Sequence, residues 1–167
     1  MEQVLIFQKD NPILARISTE QIEQYSQLPD TDMNPITPEV LMAQDFGFCA
    51  VNAVLQEDKI FDLVEVIGYA GHTKDREYAG KLYTQIGNLA VLPNWQGLGL
   101  AKALLGKNKN YAISKGLGDL SIVCNALSSG IAHASGFEYL ADVVSDSGGI
   151  KALYVYHHGT ESCNRVK

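Results

Sequence analysis

The segment Leu89–Ala101 constrains the fold more than any other part of the chain, because it runs Leu-Ala-Val-Leu-Pro-Asn-Trp-Gln-Gly-Leu-Gly-Leu-Ala. A strand pattern ends at Pro93, a short glycine-containing loop follows, and an apolar helical pattern then begins. The free backbone N–H groups of a helix N-terminus and the helix dipole attract anions, and glycine lets a phosphate approach the backbone. The segment therefore predicts a phosphate site.

Two common phosphate-binding motifs do not fit this segment. A dinucleotide fingerprint starting at Gly97 requires Gly or Ala at position 102, which is Lys102. A P-loop ending in Gly106-Lys107 requires Gly at 101 and Ser or Thr at 108, which are Ala101 and Asn108. A lone pair of glycines is also consistent with an ordinary turn.

Charge separates this region from the rest of the chain. The 167 residues carry a formal net charge of −6, yet no acidic residue lies between Glu77 and Asp119. Five lysines in that interval carry +5, and removing +5 from −6 leaves −11 elsewhere. We expect this partition to favour a phosphorylated ligand, and the acidic remainder to suit a cationic amine but not a nucleic acid. A solvated helix face is the alternative explanation for Lys81, Lys102, Lys107, Lys109 and Lys115.

The other sequence patterns predict an α/β sheet with a partly antiparallel edge. Gly87 inside a strand predicts a bulge or a close backbone approach. We expect helices to begin near Ser18 and Thr37, a polar loop at 74–80 and a hairpin loop at 145–149. The predicted strands are 46–55, 63–71, 82–92, 120–124, 138–144 and 150–156, and the further helices are about 97–115 and 128–134.

Cysteine usage and hydropathy indicate the environment of the protein. Cys49, Cys124 and Cys163 form no C-x-x-C pair and no cluster with histidine, so neither a disulfide framework nor a zinc site is expected. The N-terminus lacks the pattern of a signal peptide, and no apolar run approaches the roughly 20 residues of a membrane span. We expect a soluble cytoplasmic protein with no metal and no membrane partner.

The loop Gln96-Gly97-Leu98-Gly99-Leu100-Ala101 resembles the Q/R-x-x-G-x-G/A loop of GNAT-superfamily N-acetyltransferases. Asn125, followed eleven residues later by Gly136-Phe137, resembles a second motif of that family, an Asn followed by Gly-Phe. The strand Leu89-Ala90-Val91 resembles the family's strand before the loop, and Ile67-Gly68 resembles a glycine common in its third strand. The likeness runs from about Val64 to Tyr156. It implies one GNAT-like α+β domain over residues 1–156, with helices on both faces of a mostly antiparallel sheet of about six or seven strands, and a frayed tail at 157–167.

The resemblance also implies a site for acetyl-CoA, held in the splay between two strands. The pyrophosphate would lie on the loop amides and the pantetheine along the preceding strand, with Asn125 close to it. The implied cofactor-binding residues are Leu89, Ala90, Val91, Gln96, Gly97, Leu98, Gly99, Leu100, Ala101, Lys102 and Asn125.

The implied reaction is direct attack of a primary amine on the acetyl thioester, with a backbone amide of Leu89–Val91 stabilising the oxyanion. At pH 7, deprotonating a lysine-like amine costs about 4–5 kcal/mol, whereas releasing the thiolate costs about 2 kcal/mol. A base is therefore needed more than an acid.

The chain departs from the family at both proton-transfer positions, where it has Gln85 and Ala132. Glu65, within the third strand, and His133, beside Ala132, are the candidate catalytic residues. The sequence leaves other assignments open, because an outward-facing strand residue is the commoner explanation for Glu65. The further alternatives are Ser128 and Ser129, which could instead cap a helix, and His72.

Three functional hypotheses follow from these residues. The first is an acetyl-CoA-dependent N-acetyltransferase for an amine of a small molecule or peptide. The second is a non-catalytic acyl-CoA-binding or regulatory module, motivated by the two vacated positions. The third is an α/β interaction domain that binds no CoA. A homodimer through the C-terminal hairpin is compatible with each.

Overall fold

The computed structural model describes residues 2–16, 45–144 and 148–158. The helices expected from Ser18 and Thr37, and the centre of the 145–149 loop, lie outside the described residues. The strands are β1 (Glu2–Gln8), β2 (Gly47–Gln56), β3 (Lys59–Tyr78), β4 (Lys81–Val91), β5 (Leu120–Cys124), β6 (Glu138–Val144) and β7 (Ile150–Tyr156). The α-helices are α1 (Leu100–Ser114) and α2 (Ala126–Ala134), and Pro12–Arg16 and Pro93–Trp95 are short 3-10 helices.

The strands form one seven-stranded sheet in the order β1-β2-β3-β4-β5-β7-β6. The β4–β5 pair is parallel, and the other neighbouring pairs are antiparallel. A parallel pair requires a crossover, and α1 supplies it between β4 and β5. The expected mixed, mostly antiparallel fold is thereby confirmed.

The predicted polar loop at 74–80 is wrong. Strand β3 continues to Tyr78 and pairs with β4 as far as Lys81, so only Ala79 and Gly80 connect the strands. Both connecting residues have positive φ, 51° and 80°, which suits a tight hairpin whose twist matches its strands. Cross-strand pairing with β4 keeps the charged segment Lys74–Glu77 extended.

The two faces of the sheet bury different sets of side chains. Alternation in β2 directs Ala50 towards the face covered by α1 and α2, here called the first face, and Val51 towards the second face. On the second face, Ile13 and Leu14 of the first 3-10 helix pack against the core. The first-face core consists of Phe46, Ala50, Ile67, Ala70, Ile86, Val91, Leu104, Leu105, Ala112, Leu120, Ile122, Cys124, Ala132 and Phe137.

Helix α1 is held close against β3. A Cβ on Gly68 would lie 3.0 Å from Cδ1 of Leu104, so the glycine lets the helix approach the strand. One turn further along, the buried Asn108 donates from Nδ2 to the carbonyl oxygens of Ala70, at 3.0 Å, and Leu104, at 2.8 Å. These contacts fix the N-terminus of α1 beside the end of β4.

The last described residues also contact the sheet. The Nδ1 atom of His157 lies 2.6 Å from Oδ2 of the buried Asp119, and the backbone N–H of His158 donates to Oδ1 of Asp119 at 3.3 Å. Lys81 Nζ donates to the same carboxylate at 2.6 Å. The chain is therefore attached to the start of β5 through residue 158.

Candidate functional site

Strands β4 and β5 pair over only three positions, from Thr84 opposite Leu120 to Ile86 opposite Ile122. Strand β4 then continues through residues 87–91 while still paired with β3. The result is an opening between β4 and β5, with its base at Ile86 and Ile122. This opening is the splay that the family resemblance implies.

A bulge in β4 lies next to the base of this opening. The partners change from Tyr69 opposite Ala90 to Gly71 opposite Gly87, so β4 uses one more residue than β3 over this step. A Cβ on Gly87 would lie only 2.6 Å from Cγ2 of Thr73. The bulge predicted for Gly87 is therefore confirmed, and the atoms that approach Gly87 closely belong to the Thr73 side chain and not to a neighbouring backbone.

The backbone beyond the bulge presents alternate polar groups to the opening. The N–H of Leu92 donates to the Ile67 carbonyl at 2.8 Å, so the polar groups of Leu92 point towards β3. By alternation those of Ala90 also point towards β3, whereas those of Leu89 and Val91 point away from it. The Val91 carbonyl accepts a hydrogen bond from Gln96 Nε2 at 3.0 Å, which links β4 to the loop.

The loop after β4 has the geometry of an anion cradle. Gly97 and Gly99 have φ of 82° and 81°, and no atom lies within 4 Å of where a Cβ would stand on either. Gly99 is the N-cap of α1, and the first helical bond is from Ala103 N–H to the Gly99 carbonyl, at 3.0 Å. The N–H groups of residues 100–102 precede this bond, so they can meet a ligand. The first turn contains no acidic side chain.

The interval between Glu77 and Asp119, here called the acid-free interval, contains five lysines that lie at several different places in the fold. Lys81 contacts Asp119 at the far end of β4, and Lys109 Nζ donates to the Ser135 carbonyl at 2.9 Å. Lys115 lies over the Tyr111 ring, 5.7 Å from its centroid. Lys107 is exposed on α1 but lies five residues beyond Lys102. Lys102, exposed in the first turn of α1, is therefore the lysine best placed to meet a phosphate at the loop.

Asn125 follows β5 directly and lies across the opening from β4. Its Oδ1 accepts from the N–H of Ser128 at 2.9 Å, and Ser128 Oγ accepts from the N–H of Asn125 at 3.0 Å, a capping box for α2. Ser129 Oγ donates to the Asn125 carbonyl at 2.8 Å. Capping thus accounts for both serines and leaves the Nδ2 hydrogens of Asn125 for a ligand.

The thiol of Cys124 lies beside this cap without acting as a reactive group. Burial raises the pKa of Cys124 to about 11, and burial raises the pKa of Cys49 to about 12. A nucleophilic cysteine needs a lowered pKa and exposure, and neither of these two has them.

The candidate catalytic residues Glu65 and His133 are not brought together. Glu65 is half-buried opposite Asn52 of β2, three residues before Gly68, whose partner is Val91. It therefore lies at the loop end of the sheet and not at the base of the opening. His133 is exposed in the last turn of α2, while its neighbour Ala132 is fully buried. Both assignments stay predictions.

His72 is on the first face, opposite Ile86. Its ring stacks on Phe46 with centroids 5.4 Å apart, and its nitrogens lie 3.3 Å from Asp45 Oδ2 and 3.0 Å from Asp75 Oδ1. Two carboxylates therefore hold the imidazole on the face opposite Gln85.

A polar row on the second face was missed by sequence reasoning. Gln85, only 8% exposed, accepts from Arg76 Nε through Oε1 and donates from Nε2 to Thr73 Oγ1 at 3.3 Å. Gln85 lies one residue before Ile86, at the base of the opening. Arg76 belongs to the loop predicted at 74–80, and its place in this row depends on the register between β3 and β4, which no local sequence pattern indicates.

Comparison with known proteins agrees with this geometry. The model of the acetyltransferase (GNAT) family matches residues 14–135, which is most of the chain. The chain therefore belongs to the GNAT acetyltransferase family, whose members are acyltransferases.

Solved structures share the fold at low sequence identity. The GNAT family N-acetyltransferase YhbS of Escherichia coli, in complex with CoA, is 16% identical with a TM-score of 0.63, over 98% of this chain and 86% of that one. Arabidopsis thaliana NAA60 in complex with acetyl-CoA is 15% identical with a TM-score of 0.61, over 93% of this chain and 100% of that one. The NatC complex bound to Gag peptide and CoA contains a chain 19% identical with a TM-score of 0.60, over 92% of this chain and 99% of that one. A search of curated protein sequences gives no match.

Two further observations concern only the described part of the chain. No helix in it is long and apolar enough to cross a membrane. No group of three or more His, Cys, Asp or Glu side chains in it is arranged to hold a metal ion.

Proposed function

We propose that the protein is an acetyl-CoA-dependent N-acetyltransferase that acetylates a primary amine of a small molecule or peptide by direct attack. The observation that carries the proposal is the opening between β4 and β5, bounded at one end by the paired Ile86 and Ile122 and at the other by the glycine cradle. A linear ligand with an anionic diphosphate at one end and a thioester at the other suits such a path.

The chain's own residues fit acetyl-CoA. The amides at the start of α1, with Lys102, would bind the diphosphate. The outward-facing backbone of Leu89 and Val91 would pair with the pantetheine amides, and Asn125 Nδ2 would donate to a pantetheine carbonyl. The acetyl-CoA in the NAA60 structure and the CoA in the YhbS structure, on the same fold, support this assignment.

In the proposed reaction, the amine nitrogen forms a bond to the acetyl carbon and the carbon–sulfur bond breaks. The amine loses a proton and the departing CoA thiolate gains one. A backbone N–H near the β4 bulge would stabilise the oxyanion. Since Gln85 cannot hold the proton, water must carry it from the amine. His133 and Glu65 are the residues we propose to receive it, and Glu65 can do so only through a chain of several waters, because it lies at the loop end of the sheet.

Transfer is tested by measuring free CoA thiol from acetyl-CoA across a panel of primary amines, with mass spectrometry of each amine. We expect equal amounts of CoA and acetylated amine for at least one amine. A Glu65→Gln variant and a His133→Ala variant test the two candidate residues, and each is expected to lower kcat with a shifted pH profile if it receives the proton.

A second candidate function is favoured by Gln85, a neutral side chain that is hydrogen-bonded to Arg76 and Thr73 at a position where many members of the family have a glutamate. A non-catalytic acyl-CoA-binding module would be stabilised by acetyl-CoA in a melting experiment and would release no CoA with any amine. Glu65→Gln and His133→Ala would then change nothing measurable. Thermal stabilisation by acetyl-CoA without turnover of any amine in the panel would therefore contradict the N-acetyltransferase and support the acyl-CoA-binding module.

A further inference from the structure

A fixed positive charge lies on the second face of the sheet, beside the base of the opening. Arg76 on β3 pairs with Tyr83 on β4, and its Nε donates to Gln85 Oε1. Gln85 is fixed in turn by Thr73, whose methyl group covers Gly87 at the start of the bulge. A chain of contacts therefore links the guanidinium to the proposed reaction centre.

The guanidinium of Arg76 has no carboxylate partner among the described residues. Gln85 is neutral, and Asp75, the preceding residue, faces the other side of the sheet, where it contacts His72. Arg76 is half-buried, so water replaces a counter-ion less completely than it would at an exposed site. The hydrogen bond to Gln85 uses Nε and leaves the two terminal nitrogens, which can bind a carboxylate through parallel hydrogen bonds.

A second polar group in the same row also lacks a partner. Ser121 pairs with Gln85 across the parallel ladder and with Val155 of β7, so its side chain lies on the second face with Gln85. Ser121 is 0% exposed, and its Oγ has no hydrogen-bond partner in the described part of the chain. A buried hydroxyl without a partner is costly, so an enclosed water is expected to bind it and to extend the polar row from Gln85.

We propose that Arg76 determines acceptor specificity by binding an anionic group of the substrate, so that the preferred acceptor is a primary amine that carries a carboxylate. This inference rests on the proposed function, since it places the amine at the base of the opening. The net charge of −11 outside the acid-free interval attracts amines in general. Arg76 selects among them, because a nearby guanidinium attracts a carboxylate and repels a second ammonium.

Paired acceptors give the test, each pair consisting of an ω-amino acid with several methylene groups between amine and carboxylate, and its carboxamide. The amines of such a pair have nearly the same pKa, so the two members differ only in the anionic group. The kcat/KM of the intact protein with acetyl-CoA is expected to be about tenfold higher for the carboxylate member, equivalent to about 1.4 kcal/mol. Arg76→Gln is expected to remove this preference mainly through KM. Lys74→Gln, which removes a positive charge from an exposed residue of the same strand, is the matched control and keeps the preference.

Gln85→Glu gives an independent variant of nearly the same shape, in case Arg76→Gln does not fold. It places a carboxylate on Arg76, so the preference for the carboxylate acceptor is expected to be lost while the carboxamide is still acetylated. Equal kcat/KM for both members of each pair, unchanged in Arg76→Gln, would overturn the inference and leave the proposed function standing. Acetylation of no amine, despite binding of acetyl-CoA, would overturn both.

Discussion

Replacing Gly99 by glutamate tests whether the loop is the anion cradle. Gly99 has φ of 81° and no atom within 4 Å of a Cβ, so a side chain fits the space but strains the backbone. That strain costs about 1–2 kcal/mol. The new carboxylate would also repel the diphosphate by about 1–3 kcal/mol at 5 Å, depending on how much water separates the charges.

Gly80 provides a matched control for the strain. It has φ of 80° in the β3–β4 turn, and no atom lies within 4 Å of its Cβ position. Gly80→Glu and Gly99→Glu should therefore lower the melting temperature of the free protein by a similar amount, about 2–8 °C. Only the second variant should lose affinity for acetyl-CoA.

Differential scanning fluorimetry with and without acetyl-CoA separates the two effects. At a ligand concentration of 100 times Kd, acetyl-CoA stabilises the fold by about 2.7 kcal/mol, a rise of about 5–11 °C for a chain of this size. The repulsion of about 1–3 kcal/mol corresponds to a Kd about 5- to 150-fold weaker in Gly99→Glu. At the same ligand concentration, acetyl-CoA then stabilises this variant by only about 0.3–1.8 kcal/mol. Gly80→Glu should keep the full rise. A full rise in both variants, or none in the unsubstituted protein, would refute the cradle.

Four further expectations follow from the burial and the contacts of single side chains. Because burial raises the pKa of Cys124 to about 11 and of Cys49 to about 12, neither should react with a thiol reagent at pH 8 until the protein unfolds, and reaction in the native state would contradict this. Because these thiols lose their protons near pH 9 only in the unfolded protein, the free energy of unfolding should decline above pH 9. The decline is up to about 1.4 kcal/mol per pH unit for each thiol, and urea unfolding at pH 8, 9 and 10 measures it. Asn125→Ala should cost about 1 kcal/mol of stability and weaken acetyl-CoA binding, whereas Asn125→Asp keeps the cap and replaces the amide donor by a charged carboxylate, so only binding should weaken. Equal affinity in all three proteins would remove Asn125 from the site. Asp119→Asn should destabilise the fold by about 2 kcal/mol or more, because it removes the buried partner of Lys81, and an unchanged urea midpoint would contradict this.

The parts of the site that depend on local backbone geometry were predictable from the sequence. Gly97 and Gly99 adopt positive φ as the loop pattern indicates, and Gly87 marks the bulge that ends the pairing of β4 with β5. Asn125 caps α2 directly after β5, and its place beside the pantetheine stays a prediction. In each case a short segment contains its own signal, because the residue type determines which backbone conformation is accessible.

The parts that depend on distant pairing were not predictable. The polar segment Lys74–Glu77 looks like a loop by composition, and only its pairing with β4 makes it a strand. The contact of Arg76 with Gln85 follows from that register, so the sequence pattern could not indicate it. Glu65 and His133 suit proton transfer by residue type, and residue type does not indicate which end of the sheet each side chain occupies.

A structure of the protein with acetyl-CoA tests the central claim most directly. We expect the diphosphate oxygens within about 3 Å of the backbone nitrogens at the start of α1. The thioester carbon should lie at the base of the opening, between Ile86 and Ile122. Acetyl-CoA bound elsewhere, with the opening between β4 and β5 occupied by side chains, would contradict the account.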